Sequence, residues 1–314
     1  MSSNDSCRLD VLALGEAMIE FNQQREGDGR LYLQGFGGDT SNFAIAAARQ
    51  GARAGYLSAV GNDAHGRLLR ELWRREGVDA EGVRSDAGAF TAVYFVTHDA
   101  AGHHFEFVRA GSAASRLTPA DLAPSRIASA RVLHLSGISL ALSATTGAAC
   151  RAAIATAHAA GVRVSFDTNL RLPLWPLEQA RAAMGEAMAS CDICLPGLDD
   201  MAALTGLTDA DAIVDHCLRL GAGTVALKLG AAGALVADAR RRFRIAPHPC
   251  RAVDATGAGD TFGGAFVVRL LAGDDLDVAG RYAAVAAALS TEGYGAVEPI
   301  PTAAQVRAAL ADGA

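Results

Sequence analysis

Short apolar runs alternate with longer amphipathic stretches along most of the chain. Val11–Leu14, Ala54–Val60, Val132–Leu135, Val162–Phe166, Asp192–Leu195 and Val225–Leu229 read as strands. Between them, the spacing of apolar positions predicts helices over Ser41–Gln50, Ala64–Glu76, Ala144–Ala160, Leu177–Ala189 and Ala210–Leu220. Strand, helix, strand at these intervals implies right-handed crossovers. The expected fold is therefore α/β, with a mostly parallel central sheet covered by helices on both faces, three α/β/α layers in all.

Two segments, about 16–35 and 89–110, depart from that rhythm. Ala92-Val93-Tyr94-Phe95-Val96-Thr97 and His104-Phe105-Glu106-Phe107-Val108 alternate with a period of two, and Asp99-Ala100-Ala101-Gly102 between them reads as a hairpin turn. Together these segments predict a small sheet standing off the main layer, placed as a lid to exclude water from a crevice. With no internal repeat and no long linker, residues 1–314 read as a single domain.

Composition narrows the function. Hydrophobic residues make up 51% of the 314 and charged ones 20%, as in a globular protein with a large core. A net charge of -6 argues against nucleic acid as a partner, and Arg240-Arg241-Arg242 between two apolar stretches reads as a solvated hairpin turn. Neither a secretory leader nor a membrane-length apolar run is visible, so the expected location is cytoplasmic with no membrane partner. The scattered cysteines do not form a disulfide framework, and Cys191-Asp192-Ile193-Cys194 reads as core packing rather than metal ligation. His103-His104, adjacent on a strand, point to opposite faces and make a poor chelate.

The most informative stretch is Val253-Asp254-Ala255-Thr256-Gly257-Ala258-Gly259-Asp260-Thr261-Phe262, leading into an apolar helix. Small residues at Gly257, Ala258 and Gly259 let a ligand approach the backbone, and unpaired amides at the helix start suit an anion. This is the expected anion hole for a transferring phosphoryl group. Asp260, just inside the helix start, is expected to stay ionised at neutral pH and to act as the base.

Asp254 to Asp260 resembles the D-T-x-G-A-G-D motif of the ribokinase-like PfkB carbohydrate kinases, with Ala255 where threonine is commoner. Gly37-Gly38-Asp39-Thr40-Ser41-Asn42 and Val60-Gly61-Asn62-Asp63-Ala64-His65-Gly66 resemble the family's N-terminal blocks in the expected order. The resemblance covers nearly the whole chain and implies ATP and Mg2+, with a monovalent cation such as potassium as a further candidate. Lys228, Gly230 and Gly233 resemble the segment that contacts ATP, joined there by Gly257 and Gly259. Where the family carries N-x-x-E, this chain has Gly197-Leu198-Asp199-Asp200, leaving Asp200 to hold the metal through water. The lid sheets resemble those that pair into dimers.

Within the family, Arg109-Ala110-Gly111-Ser112, His134-Leu135-Ser136-Gly137-Ile138 and Asp167-Thr168-Asn169-Leu170-Arg171 resemble the 2-keto-3-deoxygluconate kinases. Gly38, Tyr94, Arg109, Ile138, Arg171 and Asp260 match positions that line the sugar pocket there, with Asp39 and Asn42 offering polar groups to hydroxyls. Phe107 stands where those enzymes often have tyrosine. A guanidinium in a crevice favours a carboxylate or phosphate partner, so Arg109 and Arg171 point to a sugar acid as the small-molecule partner. A fructokinase and a catalytically silent sugar-binding or regulatory protein are the alternatives.

Overall fold

Along the first strand, β1 (Leu9–Leu14), Val11 and Ala13 enter one buried apolar cluster while Leu12 and Leu14 enter another. A strand buried on both faces belongs in the middle of a covered parallel sheet. The structure, a computed structural model, describes residues 8–24, 29–99 and 102–312.

After β1 come β2 (Met18–Gln23), β3 (Tyr32–Gly37), α1 (Asp39–Arg49), β4 (Ala54–Gly61), α2 (Ala64–Arg75) and β5 (Val83–Asp86). The hairpin β6 (Val93–Asp99) and β7 (Gly102–Val108) precedes α3 (Pro124–Ala128), β8 (Ala130–Ser136), α4 (Gly137–Ala141) and α5 (Ala144–Ala159). Then follow β9 (Arg163–Asp167), α6 (Leu177–Ala189), β10 (Ile193–Leu195), α7 (Leu198–Thr205), α8 (Ala210–Leu220) and β11 (Thr224–Lys228). The chain continues with β12 (Ala234–Asp238), β13 (Arg242–Ile245), α9 (Ala258–Ala272), α10 (Leu276–Ser290) and α11 (Ala303–Asp312).

The large sheet has nine strands in the order β13-β12-β11-β10-β9-β8-β1-β4-β5. Pairing is parallel from β11 through β5, while β11–β12 and β12–β13 at the edge are antiparallel. The Arg240–Arg242 run does lie at the β12–β13 turn, where Arg241 pairs with Asp238 and Asp275. Cys191, Cys194 and Cys217 are buried free thiols in the apolar core.

The small sheet, β3-β2-β6-β7, stands apart from the large one. It is mixed rather than wholly antiparallel: β2 pairs with β3 and β6 with β7 antiparallel, but β2 and β6 run parallel. Of the turn expected between the last two strands, residues 100–101 lie outside the described part, while Asp99 and Gly102 stand opposite each other. No helix among the described residues is long and apolar enough to cross a membrane.

One packing contact sets up the site. A methyl group on Gly264 of α9 would come within 2.8 Å of the Phe43 carbonyl oxygen of α1. Only a bare backbone lets these two helices approach so closely. Their approach brings the starts of both helices together beside the carboxyl ends of the parallel strands.

Candidate active site

β1, β8, β9 and β11 run parallel, so the residues that follow them, or end them, share one edge of the sheet, where ligands of such sheets bind. Glu16 lies just beyond β1, Asp167 ends β9 and Lys228 ends β11. Gly38 caps α1 at φ 111°, and a methyl group there would meet the Glu16 carbonyl oxygen at 2.3 Å. The α1 start is thereby held against the β1 end.

Asp260 is half-buried in the first turn of α9. Asn42 Nδ2 donates to its Oδ2 at 2.9 Å, which leaves Oδ1 as the oxygen open to a substrate hydroxyl. Burial first, then the Asp39 charge, and then that of Asp167 push its carboxyl up to about 8, against the lowering pull of Asn42 and Lys228. This corrects the expectation that Asp260 stays ionised at neutral pH. The favourable helix start is outweighed by desolvation and two neighbouring carboxylates.

The anion hole is narrower than the sequence suggests. Gly257 caps α9 in the left-handed region, but the Ala258 amide donates to the Ala255 carbonyl at 3.2 Å. The Gly259 and Asp260 amides take no backbone acceptor among the described residues and remain available to an anion. Below them, Asp254 accepts from Thr256 and from the Gly295 amide, which ties the loop to the segment that follows α10.

Around Asp260 runs a polar network in which sequence reading had named only some members. Asn169 Nδ2 donates to Asp39 Oδ2 at 2.9 Å, and its own amide donates to Asp167 Oδ1 at 3.1 Å. Asn169 is the one non-glycine residue with positive φ among those described, at 29°. That rare backbone state is maintained by the two carboxylates it bridges. Asp167 in turn pairs with Lys228. Asp167 and Asn169 went unassigned beforehand, although an acidic residue closing an apolar strand is a usable signal.

The two arginines occupy different settings. Arg109 Nε donates to Glu16 Oε2 at 2.8 Å, Nη2 lies 2.7 Å from the same oxygen, and Ser112 donates to Oε1 at 2.6 Å. Glu16 is 1% exposed, and burial raises its carboxyl above the usual range in spite of Arg109. Arg109 therefore already pairs with a carboxylate of the chain itself. Arg171 is exposed, donates only to the Leu170 carbonyl, and makes no ion pair among the described residues. Glu16 was missed because Gly15-Glu16 looks like an ordinary strand end.

On the small sheet, Tyr94 is buried and donates to Glu20 at 2.5 Å, while Phe107 stacks on it at 5.5 Å between ring centroids. Arg109 lies over that same Phe107 ring, with Cζ 5.5 Å from its centroid. Ile138 is half-buried in α4. Gly230 and Gly233 form the turn between β11 and β12, closed by Leu229 donating to the Gly233 carbonyl at 2.9 Å.

Asp200 stands in the first turn of α7 and accepts from Thr168 Oγ1 at 2.8 Å through Oδ2. Its Oδ1 accepts nothing among the described residues, and no cluster of three ligating side chains occurs there. One free carboxylate oxygen fits Mg2+, which keeps most of its waters and leans on phosphates.

A half-buried carboxylate beside free helix-start amides at the carboxyl edge of an α/β sheet is an arrangement suited to phosphoryl transfer onto a hydroxyl. Residues 8–303 match the family described as pfkB family carbohydrate kinase. The chain belongs to that family, whose members phosphorylate small sugars with ATP. It is 36% identical to 2-dehydro-3-deoxygluconokinase of Thermoproteus tenax, over 94% of this chain and 92% of the relative. Fructokinase-2 of Solanum habrochaites is 32% identical, over 97% of each chain. An E. coli structure described as a ribokinase II with ATP and Mg2+ superposes with a TM-score of 0.90 at 25% identity, covering 97% of this chain and 99% of that one.

Proposed function

We propose that the protein transfers the γ-phosphoryl group of ATP to the terminal hydroxyl of 2-keto-3-deoxy-D-gluconate, giving 2-keto-3-deoxy-6-phosphogluconate. The observation that carries this reading is Arg171, a guanidinium with no ion pair among the described residues, just past the Asp167 strand end. The relationship to the T. tenax kinase supports it. Asp260 Oδ1 takes the hydroxyl proton, while Asn42 holds Oδ2 and so fixes the carboxylate plane. The Gly259 and Asp260 amides hold the oxygens of the moving phosphoryl group. Asp200 would hold a water of Mg2+, which when bound would neutralise phosphate charge. Tyr94 and Phe107 form an aromatic wall on the small sheet, which acts as the lid of the one domain.

Fructose phosphorylation is the second reading, and the Glu16–Arg109 pair favours it, since Arg109 then needs no anionic substrate. Coupled ADP release with each sugar decides between them. For the sugar acid, Arg171→Ala is expected to raise KM about tenfold to a hundredfold, as for a lost charged hydrogen bond, and to leave fructose unaffected. Equal loss with both sugars, or preference of the wild-type protein for fructose, removes the sugar-acid assignment but leaves the kinase.

Exposed Leu33 and Phe105 lie in one cross-strand row of the small sheet, on the same face. A second copy of the same sheet is the occupant we propose for it. Light scattering should give a dimer, and Leu33→Glu should give a monomer; a monomeric wild-type protein at micromolar concentration refutes this. Free thiols at Cys150, Cys191, Cys194, Cys217 and Cys250, together with ATP use, support a cytoplasmic location.

A further inference from the structure

Glu20 is a buried carboxylate that the phosphoryl transfer does not use. It lies on β2 at 4% exposure, opposite Gly35 on one side and Tyr94 on the other. Phe107 stands opposite Tyr94 in turn, so Glu20, Tyr94 and Phe107 form one cross-strand row on one face of the small sheet. Bare backbone of β3 closes around the first two. A methyl group on Gly37 would lie 2.5 Å from the Tyr94 hydroxyl oxygen, and one on Gly35 would lie 3.0 Å from Glu20 Oε1.

The place of the hydroxyl proton follows from the chemistry of the pair. Tyrosine has one O–H to give, and an ionised carboxylate can only accept. Tyr94 donates that proton to Glu20 Oε2 at 2.5 Å. Burial first, then the Glu20 charge and hydrogen bond, push the Tyr94 hydroxyl well above the usual phenol value, so the proton stays on tyrosine. The same bond favours the ionised form of Glu20 against burial. What the Tyr94 oxygen has left for any other partner is lone pairs alone. That oxygen stands at Gly37, next to the α1 cap Gly38, and the Asp260 charge reaches it.

We propose that Glu20 positions the Tyr94 proton away from the pocket, so that this wall takes a non-reacting hydroxyl of the acceptor and rejects an oxo or carboxylate oxygen. A hydroxyl completes a hydrogen bond there. An oxo or carboxylate oxygen would set lone pairs against lone pairs beside a buried anion. The proposal rests on the reading of Tyr94 as a wall of the sugar pocket, but not on which sugar is phosphorylated. It adds a direction to the bound sugar, whose carbonyl and carboxylate oxygens point away from Tyr94.

The test exchanges one hydroxyl at a time. In 2-keto-3-deoxygluconate the non-reacting hydroxyls are at C4 and C5; in fructose the exchange is made at C3 and C4. Each is replaced by hydrogen, which neither donates nor accepts, and by fluorine, which accepts weakly and cannot donate. KM is measured on whichever parent sugar the wild-type protein turns over and on its analogues. At one position both replacements should raise KM about threefold to tenfold, with fluorine no better than hydrogen. Glu20→Met removes the acceptor and frees the Tyr94 O–H to donate. At that position the fluoro analogue should then have the lower KM of the two, by about twofold or more. In Tyr94→Phe, which lacks the phenol oxygen, adding Glu20→Met should leave the ratio of the two unchanged.

A carboxylate that serves folding alone predicts a different result, one common factor on every KM and no change of order. That result overturns the proposal, as does a wild-type protein in which fluorine outperforms hydrogen at every position. The wild-type series decides even where a variant fails to fold. Turnover of a parent sugar with the wrong order of analogues strikes this inference alone, whereas turnover of neither sugar removes the sugar-pocket reading and the inference with it.

Discussion

Replacing Asp260 with Asn should lower turnover about a hundredfold to ten-thousandfold, the range for loss of a positioned general base. The protein should stay folded, because the amide keeps the size of the group and Asn42 can still face it. The pH profile sharpens the test. The carboxyl is pushed up to about 8 in the free protein, so kcat/KM of the wild type should rise with pH and level off near that value. In Asp260→Asn the rise should vanish with the activity. Stability moves the other way. A carboxyl whose folded value lies above the usual 3.8 stabilises the fold at low pH, and that contribution is lost as pH rises toward about 8. Asp260→Asn carries no such loss, so at pH 8 its melting temperature should exceed that of the wild type. Near-normal turnover in the variant would remove Asp260 from the mechanism.

The largest stability effect should come from Arg109→Ala. This change leaves the Glu16 carboxylate, 1% exposed, without its cation, and breaking a buried pair on one side typically costs about 3–5 kcal/mol. Glu16 already sits above the usual carboxylate value through burial, and removing Arg109 takes away its main opposing influence. The deficit should therefore be greatest at pH 8 and shrink toward pH 5, as Glu16 takes up a proton. Denaturant melts across that range measure it. Replacing both residues, Glu16→Leu with Arg109→Leu, should recover most of the stability while pocket function stays impaired. A loss below about 1 kcal/mol for Arg109→Ala, the scale of an exposed pair, would show that the pair is solvated in solution.

Most of the architecture could be read from residue order. Leu177–Ala189 and Ala210–Leu220 coincide with their helices, and the strand assignments differ by one or two residues at their ends. Fully buried parallel strands announce themselves as apolar runs, and the helices between them by their stripes. The alanine-rich α10 was harder, because small residues on every side give little periodic contrast. For the site, Asp260, Asn42 and the glycines stand inside recognisable strings. The ionisation of Asp260 was not legible there, since it depends on Asp39 and Asp167 arriving from distant parts of the chain. The pairing of Arg109 was hidden for the same reason: Glu16 reaches it only after the sheet has formed.

The parallel pairing of β2 with β6 places Ile19 beside Val93, although the chain between them must first build α1, β4, α2 and β5. Such neighbours cannot be joined by a tight turn, and ordering the long intervening loop costs entropy before the pair contributes anything. Assembly of the small sheet accordingly waits on the nine-stranded one, whose adjacent βαβ units can close locally. In the folding order it is a late passenger, and melting from that end would uncover the pocket while the main sheet still stands.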